Sequence, residues 1–168
     1  MMDCSVASNS SLSKLDTPAL DGKDFDTEGK IGACVSTSGL LRVFDIRTRQ
    51  PVFSQTQPFG LNCCTIVDDG NTVLAGSDDG HIVTLDLRYP NQQPTSKYVY
   101  NGSITKVSRC GRWYSTSDGA CFWNTEDQTV ELTGPDCDPI NGVVSSAEGK
   151  KIFTACRDGK VRQYNILH

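Results

Sequence analysis

A chain of 168 residues, 37% hydrophobic and 21% charged, has room for one domain with a real core and not for two large ones. Fifteen glycines and seven prolines suit a turn-rich domain and argue against a helical bundle. Sixteen basic against twenty acidic side chains leave a net charge of −4, without the basic footprint of nucleic-acid binding, and no long apolar run offers a membrane-inserting helix.

Taken in chain order, residues 1–19 are rich in serine and have no strand-like run, so a flexible leader is expected there, followed by one domain over 20–168. The segment from Met1 to Ser5 lacks the basic and apolar regions of a secretory signal, and a cytoplasmic or nuclear location is expected. Leu20–Asp26 is the first expected strand; it is charged, like a truncated edge, and aligns Leu20 and Phe25 with Leu61 and Ile66. Lys30–Thr37 and Leu40–Ile46 follow, with a looser strand over Val52–Gln55. The pattern then recurs as Leu61–Val67, Thr72–Ser77, His81–Leu87 and Lys97–Tyr100. A third round gives Ser103–Ser108, Arg112–Ser117, Ala120–Asn124 and Val130–Leu132, and a fourth gives Ile140–Ser145, Lys151–Cys156 and Lys160–Ile166. Two glycine ladders keep the time. Gly39, Gly80, Gly119 and Gly159 are 41, 39 and 40 residues apart, and Gly29, Gly70, Gly111 and Gly149 are 41, 41 and 38 apart. An Asp-Gly between two strand-like runs is a strong hairpin signal, and four strands every forty or so residues is the arithmetic of a propeller blade. The fold class expected is all-β.

The chemistry-bearing residues do not converge. Eight cysteines include no Cys-x-x-Cys, and His81 and His168 are the only histidines, so no metal site is expected and Cys34, Cys63 and Cys156 are read as small core residues. Asp68, Asp69, Asp78, Asp79 and Asp158 precede glycines, where aspartate caps a turn. Neither a phosphate loop nor a nucleophile–base pair stands out, so no catalytic residue and no cofactor is expected.

Five residues after the hairpin glycine stand Phe44-Asp45, Leu85-Asp86 and Tyr164-Asn165, while Trp123-Asn124 comes one residue early. With the two ladders, these pairs resemble the Trp-Asp signature of the WD-repeat family of β-propellers. The resemblance covers about residues 20–166. It implies a partial β-propeller of about four blades with three to four antiparallel strands each, in units of about 20–56, 57–100, 101–134 and 135–168. It also implies that Phe44, Leu85, Trp123 and Tyr164 share one position against a neighbouring blade. Only one unit keeps the tryptophan, and no Gly-His dipeptide precedes a blade. Seven blades, the family's usual closure, would need about 280 residues. The expectation is therefore either the C-terminal blades of a longer ancestor or a shortened product.

Phe44-Asp45-Ile46-Arg47 and Leu85-Asp86-Leu87-Arg88 add a second resemblance, to the Trp-Asp-x-Arg box by which WD-repeat substrate receptors dock on the adaptor of cullin-RING ubiquitin ligases. Arg47 and Arg88 would then form a partner-binding rim, the alternative being local pairing with Asp45 and Asp86. The function implied is a non-catalytic scaffold for other proteins. Self-association or completion of the ring by a second chain accompanies that reading. The alternatives are ligase docking, a propeller-scaffold hydrolase, and a truncated product with no activity of its own.

Overall fold

The computed structural model describes residues 22–89, 91–109, 113–117, 119–122, 130–132, 140–146 and 150–165. The 1–19 segment, Gly111, Trp123, Asn124, Gly149 and Ile166 lie outside them. The described residues form four antiparallel sheets whose strands pair in chain order. The first sheet holds β1 (Gly22–Glu28), β2 (Ile31–Ser36), β3 (Leu40–Asp45) and β4 (Gln50–Thr56). The second holds β5 (Leu61–Val67), β6 (Thr72–Ser77), β7 (His81–Asp86) and β8 (Thr95–Tyr98). The third holds β9 (Ile104–Val107), β10 (Trp113–Thr116), β11 (Ala120–Phe122) and β12 (Val130–Leu132). The fourth holds β13 (Ile140–Ser145), β14 (Lys151–Cys156) and β15 (Val161–Asn165). Among the described residues the only helical element is one 3-10 turn, Asp68–Gly70.

Each sheet is a blade. The first strands lie side by side, β1 against β5, β5 against β9 and β9 against β13, while β2, β6 and β10 each pack on the first strand of the following sheet. The four first strands share a one-residue irregularity near their start, opposite Ser36, Ser77, Thr116 and Cys156. A bulge adds local twist, and its repetition bends every inner strand alike.

Alternation along the strands sets the seams. Ala33, Val35, Leu41 and Val43 point from the first sheet onto Leu61, Cys64, Ile66, Val73, Val83 and Leu85 of the second. The other face of the second sheet offers Cys63, Leu74 and Ile82 to Ile104, Val107 and Tyr114 of the third. Trp113 carries the contact onward to Val143, Ile152 and Tyr164 of the fourth. Sheets buried on both faces read as continuous apolar runs, as Leu61–Val67 does.

The first strand departs from expectation. β1 is paired with β2 along its length, with Phe25 opposite Cys34 as Cys64 is opposite Ala75. Phe25 therefore corresponds to Cys64 and not to Ile66. The turn between β1 and β2 is two residues shorter than its counterpart between β5 and β6, where the 3-10 turn is inserted.

Candidate interaction surface

Asp45 and Asp86 end β3 and β7 at one rim, opposite Ile31 and Thr72. The chain turns there in the same way twice: the Ile46 amide donates to the Lys30 carbonyl (2.8 Å) and the Leu87 amide to the Asn71 carbonyl (2.7 Å). Arg47 folds back on Asp45, with Nη2 2.9 Å from Oδ2 and Nε 3.3 Å from Oδ1, while its own amide donates to Oδ1 at 2.9 Å. Arg88 does the same on Asp86, with Nη2 to Oδ2 at 2.6 Å, Nε to Oδ1 at 2.9 Å and the amide to Oδ1 at 3.0 Å. The hydrogen bond from Arg47 holds the Asp45 carboxyl far below the usual carboxylate range, and Arg88 lowers Asp86 in the same way. Both arginine side chains remain exposed, at 66% and 61%. One edge of each fork, Nε and Nη2, is committed to its own aspartate, which fixes the plane of the guanidinium. Ile46 and Tyr89, both exposed, stand beside them, with the Arg88 guanidinium 6.0 Å from the Tyr89 ring centroid.

The repeat positions lie behind this rim. Phe44 is opposite Gly32, Leu85 opposite Val73 and Tyr164 opposite Ile152, which is one row of the blade in three sheets. Leu85 and Phe44 are buried, and Tyr164 packs on Trp113, Val143 and Ile152. Asn165 ends β15 and accepts a bond from Gln163 Nε2 at 3.2 Å.

The hairpin glycines occupy the opposite rim. Gly39 and Gly80 have φ of +84° and +90°, and each accepts the chain entering the next blade, through Gln57 N to Gly39 O and Val99 N to Gly80 O, both 2.9 Å. A Cβ on Gly39 would lie 2.5 Å from the Gln57 and Phe59 carbonyls, and one on Gly80 would run into the Tyr100 carbonyl. These positions need glycine for both its φ and its lack of a side chain. Gly119 closes its hairpin through Thr116, whose hydroxyl accepts from the Gly119 amide at 2.9 Å, and Gly159 donates its amide to the Cys156 carbonyl at 3.1 Å. Beside Gly80, His81 stacks on Phe59 with ring centroids 4.7 Å apart and places Nδ1 2.9 Å from Asp79 Oδ1. The Ser77 hydroxyl donates to that same carboxylate oxygen at 2.6 Å and accepts from the His81 amide at 2.7 Å. Ser36 and Thr116 hold the equivalent place in their hairpins. This hydroxyl three residues before the hairpin glycine is a feature the sequence reading missed, although the fixed offset displays it.

A second missed feature is the role of the acid on β1. Neighbouring inner strands belong to different sheets, so the edge amides of β5 have no ladder partner and need acceptors. Asp24 and Asp26, two apart and hence on one side of the strand, supply them. Asp24 Oδ2 accepts from the Cys64 amide at 3.1 Å and from Lys106 Nζ at 2.8 Å. Asp26 accepts from the Ile66 amide at 2.9 Å, the Thr65 hydroxyl at 3.1 Å and Arg109 Nη2 at 2.8 Å. Arg109 Nη1 reaches Glu28 at 2.6 Å. Burial pushes the Asp26 carboxyl up, and the bonds from Ile66, Thr27, Arg109 and Thr65 outweigh it, leaving the group below its usual range. The strand is thus a charged staple holding three blades together.

The cysteines pack. Cys63, Cys64 and Cys156 are buried and Cys34 is half-buried, and burial pushes the Cys63 thiol up to about 12. Among the described residues no group of three or more His, Cys, Asp or Glu side chains is placed to hold a metal ion, and no helix is long and apolar enough to cross a membrane.

The family described as WD domain, G-beta repeat matches residues 49–83 and 126–165. The first match runs from β4 into β7, so the sequence repeat takes the outer strand of one sheet and the inner strands of the next. Proteins described as proteasomal ATPase-associated factor 1 are similar to the chain over 86% of its length. The Bos taurus protein is 36% identical over 149 residues, the Homo sapiens protein 36% over 150 and the Gallus gallus protein 34% over 150. The chain spans 37% of the length of these relatives. Among solved structures, the computationally designed Ika4 protein superposes with a TM-score of 0.76 at 17% identity, covering 92% of this chain and 96% of that one, a likeness of fold. Four successive sheets, the twin ladders and these matches give one conclusion: the chain carries diverged WD repeats, matched in two regions, in a β-propeller-like array of four sheets.

Proposed function

We propose that this chain is a non-catalytic adaptor that binds a proteasomal ATPase through the rim carrying Arg47 and Arg88. The observation that carries the reading is the 34–36% identity, over 86% of the chain, to proteins named for association with such an ATPase. The rim suits a protein partner because its two guanidinium groups are held in place by Asp45 and Asp86, so little rotamer freedom is lost on binding. The reading that nothing is catalysed draws support from the Ser77 hydroxyl and the His81 ring, which both turn to Asp79 and not to each other. A cytoplasmic or nuclear location, where the thiols remain reduced, belongs to the same proposal.

Docking on a cullin-RING ligase adaptor uses the same boxes and is the second reading. The closure of each arginine on its own aspartate favours the alternative of local pairing for that edge of the fork. Immobilised chain titrated with purified proteasomal ATPase subunits tests the proposal. Saturable binding that an Arg47→Glu/Arg88→Glu variant loses, with its circular dichroism unchanged, is expected. No binding by the parent chain removes the ATPase as partner, and undiminished binding by the folded variant removes the rim.

A further inference from the structure

Each sheet has a forward face, turned to the following sheet, and a backward face, turned to the preceding one. On the forward face Leu41 stands opposite Val35, Ile82 opposite Gly76 and Val161 opposite Ala155, which is one position in three sheets. Leu41 and Ile82 are 0% exposed, whereas Val161 is 73% exposed. On the backward face Phe25, Cys64, Val107 and Val143 occupy one position, opposite Cys34, Ala75, Tyr114 and Thr154. The last three of these are at most 2% exposed, whereas Phe25 is 53% exposed. The open backward face also presents Ile46, and the open forward face Val144. Both outer faces therefore keep apolar side chains at seam positions, with Arg42 of the first sheet standing where the second has Val83. Among the described residues, no seam joins β13 to β1 as β1 is joined to β5.

We propose that these two faces bind each other between two copies of the chain, the forward face of the fourth sheet on the backward face of the first sheet of the partner copy. The internal seams show what a forward face takes: in every case it is the backward face of another blade of this kind. A two-fold pair makes the contact twice, so neither apolar face is left in water, and closes a ring of about eight sheets. Val161 and Val144 on one side would meet Phe25 and Ile46 on the other, and burying these apolar side chains is favourable, while Arg42, opposite Cys34 on the same face as Phe25, donates its Nε to the Ser54 hydroxyl at 3.2 Å.

Size-exclusion chromatography with light scattering on the full chain tests this, with two variants, Val161→Glu and Phe25→Glu. Both residues are exposed within one copy, so each variant keeps its fold. The parent chain is expected to run as a dimer at micromolar concentration. Each variant alone places a glutamate in both seams and dissociates, its dissociation constant rising by about tenfold or more. Mixing the two variants restores a dimer, because one seam then carries both glutamates and the other carries none. A monomeric parent chain overturns the proposal, as do open polymers, a dimer indifferent to both variants, and a mixture that stays monomeric.

Discussion

Replacing Asp26 with alanine tests the inner-strand staple most directly. Three interactions to other blades end at this carboxylate, and they differ in weight. The Ile66 amide belongs to a residue 1% exposed, and removal of its acceptor leaves a buried donor unsatisfied, which costs about 1–3 kcal/mol. The Thr65 hydroxyl, on a residue 3% exposed, loses its partner at about 0.5–1.5 kcal/mol. Arg109 is 58% exposed, and its ion pair contributes about 0–1 kcal/mol. Asp26→Ala is therefore expected to lower unfolding stability by about 2–4 kcal/mol in a urea titration with an unchanged slope, and Arg109→Ala by under about 1 kcal/mol. The sign with pH follows from the depressed carboxyl. The stabilisation is fully present above the ordinary value of 3.8 and is lost as pH falls below it through the folded-state value, so the variant has a shallower acid slope than the parent. A loss below about 0.5 kcal/mol for Asp26→Ala would mean that the β5 edge finds other acceptors, and would refute the staple.

Leu85 is 1% exposed at the centre of the seam between the first two sheets, and Leu85→Ala should cost about 2–4 kcal/mol by denaturant titration. Gly80→Ala meets the Tyr100 carbonyl in a left-handed conformation and should lower the thermal midpoint far more than Gly159→Ala, where the space is open. With a thiol reagent on the native chain, Cys34 should react well before Cys63 and Cys64, and their order should collapse in denaturant, because the latter two are buried and their thiols are pushed up in pKa.

Strands with one clean environment were legible. Leu61–Val67, Thr72–Ser77, Ile140–Ser145 and Lys151–Cys156 are found with the limits that composition and the glycine ladders give them. The outer strands were less so: the looser run at Val52–Gln55 lies within Gln50–Thr56, whereas Lys97–Tyr100 overlaps Thr95–Tyr98 only at Lys97 and Tyr98. Their residues are largely exposed on both faces, so no apolar alternation marks their register. The acid of β1 read as a weak edge because its partners, Lys106 and Arg109, lie 81 to 83 residues away. Local periodicity carries no trace of a bond at that distance. For the rim, spacing marked Arg47 and Arg88 as equivalent and left partner binding and local pairing with Asp45 and Asp86 both open; the closure of each guanidinium on its aspartate comes from the geometry.

The seams are not built equally, and their order bears on where a partner would dock. The first two sheets share the largest apolar cluster and are tied again by Asp24 and Asp26, with Lys106 and Arg109 reaching back from the third. The seam to the fourth sheet rests on Trp113, Val143, Ile152 and Tyr164, and the hydroxyl of Tyr164 is buried without a partner. An adaptor needs its contact residues on elements that do not shift, since 1 Å of looseness undoes a recognition site. Arg47 and Arg88 leave the ends of β3 and β7, in the two sheets bound most firmly to each other, and each is held a second time by its own aspartate. With the family's tryptophan replaced by Phe44 and Leu85, the apolar seam and the acidic staple do the anchoring. The rim they anchor is the one the proposed partner would meet.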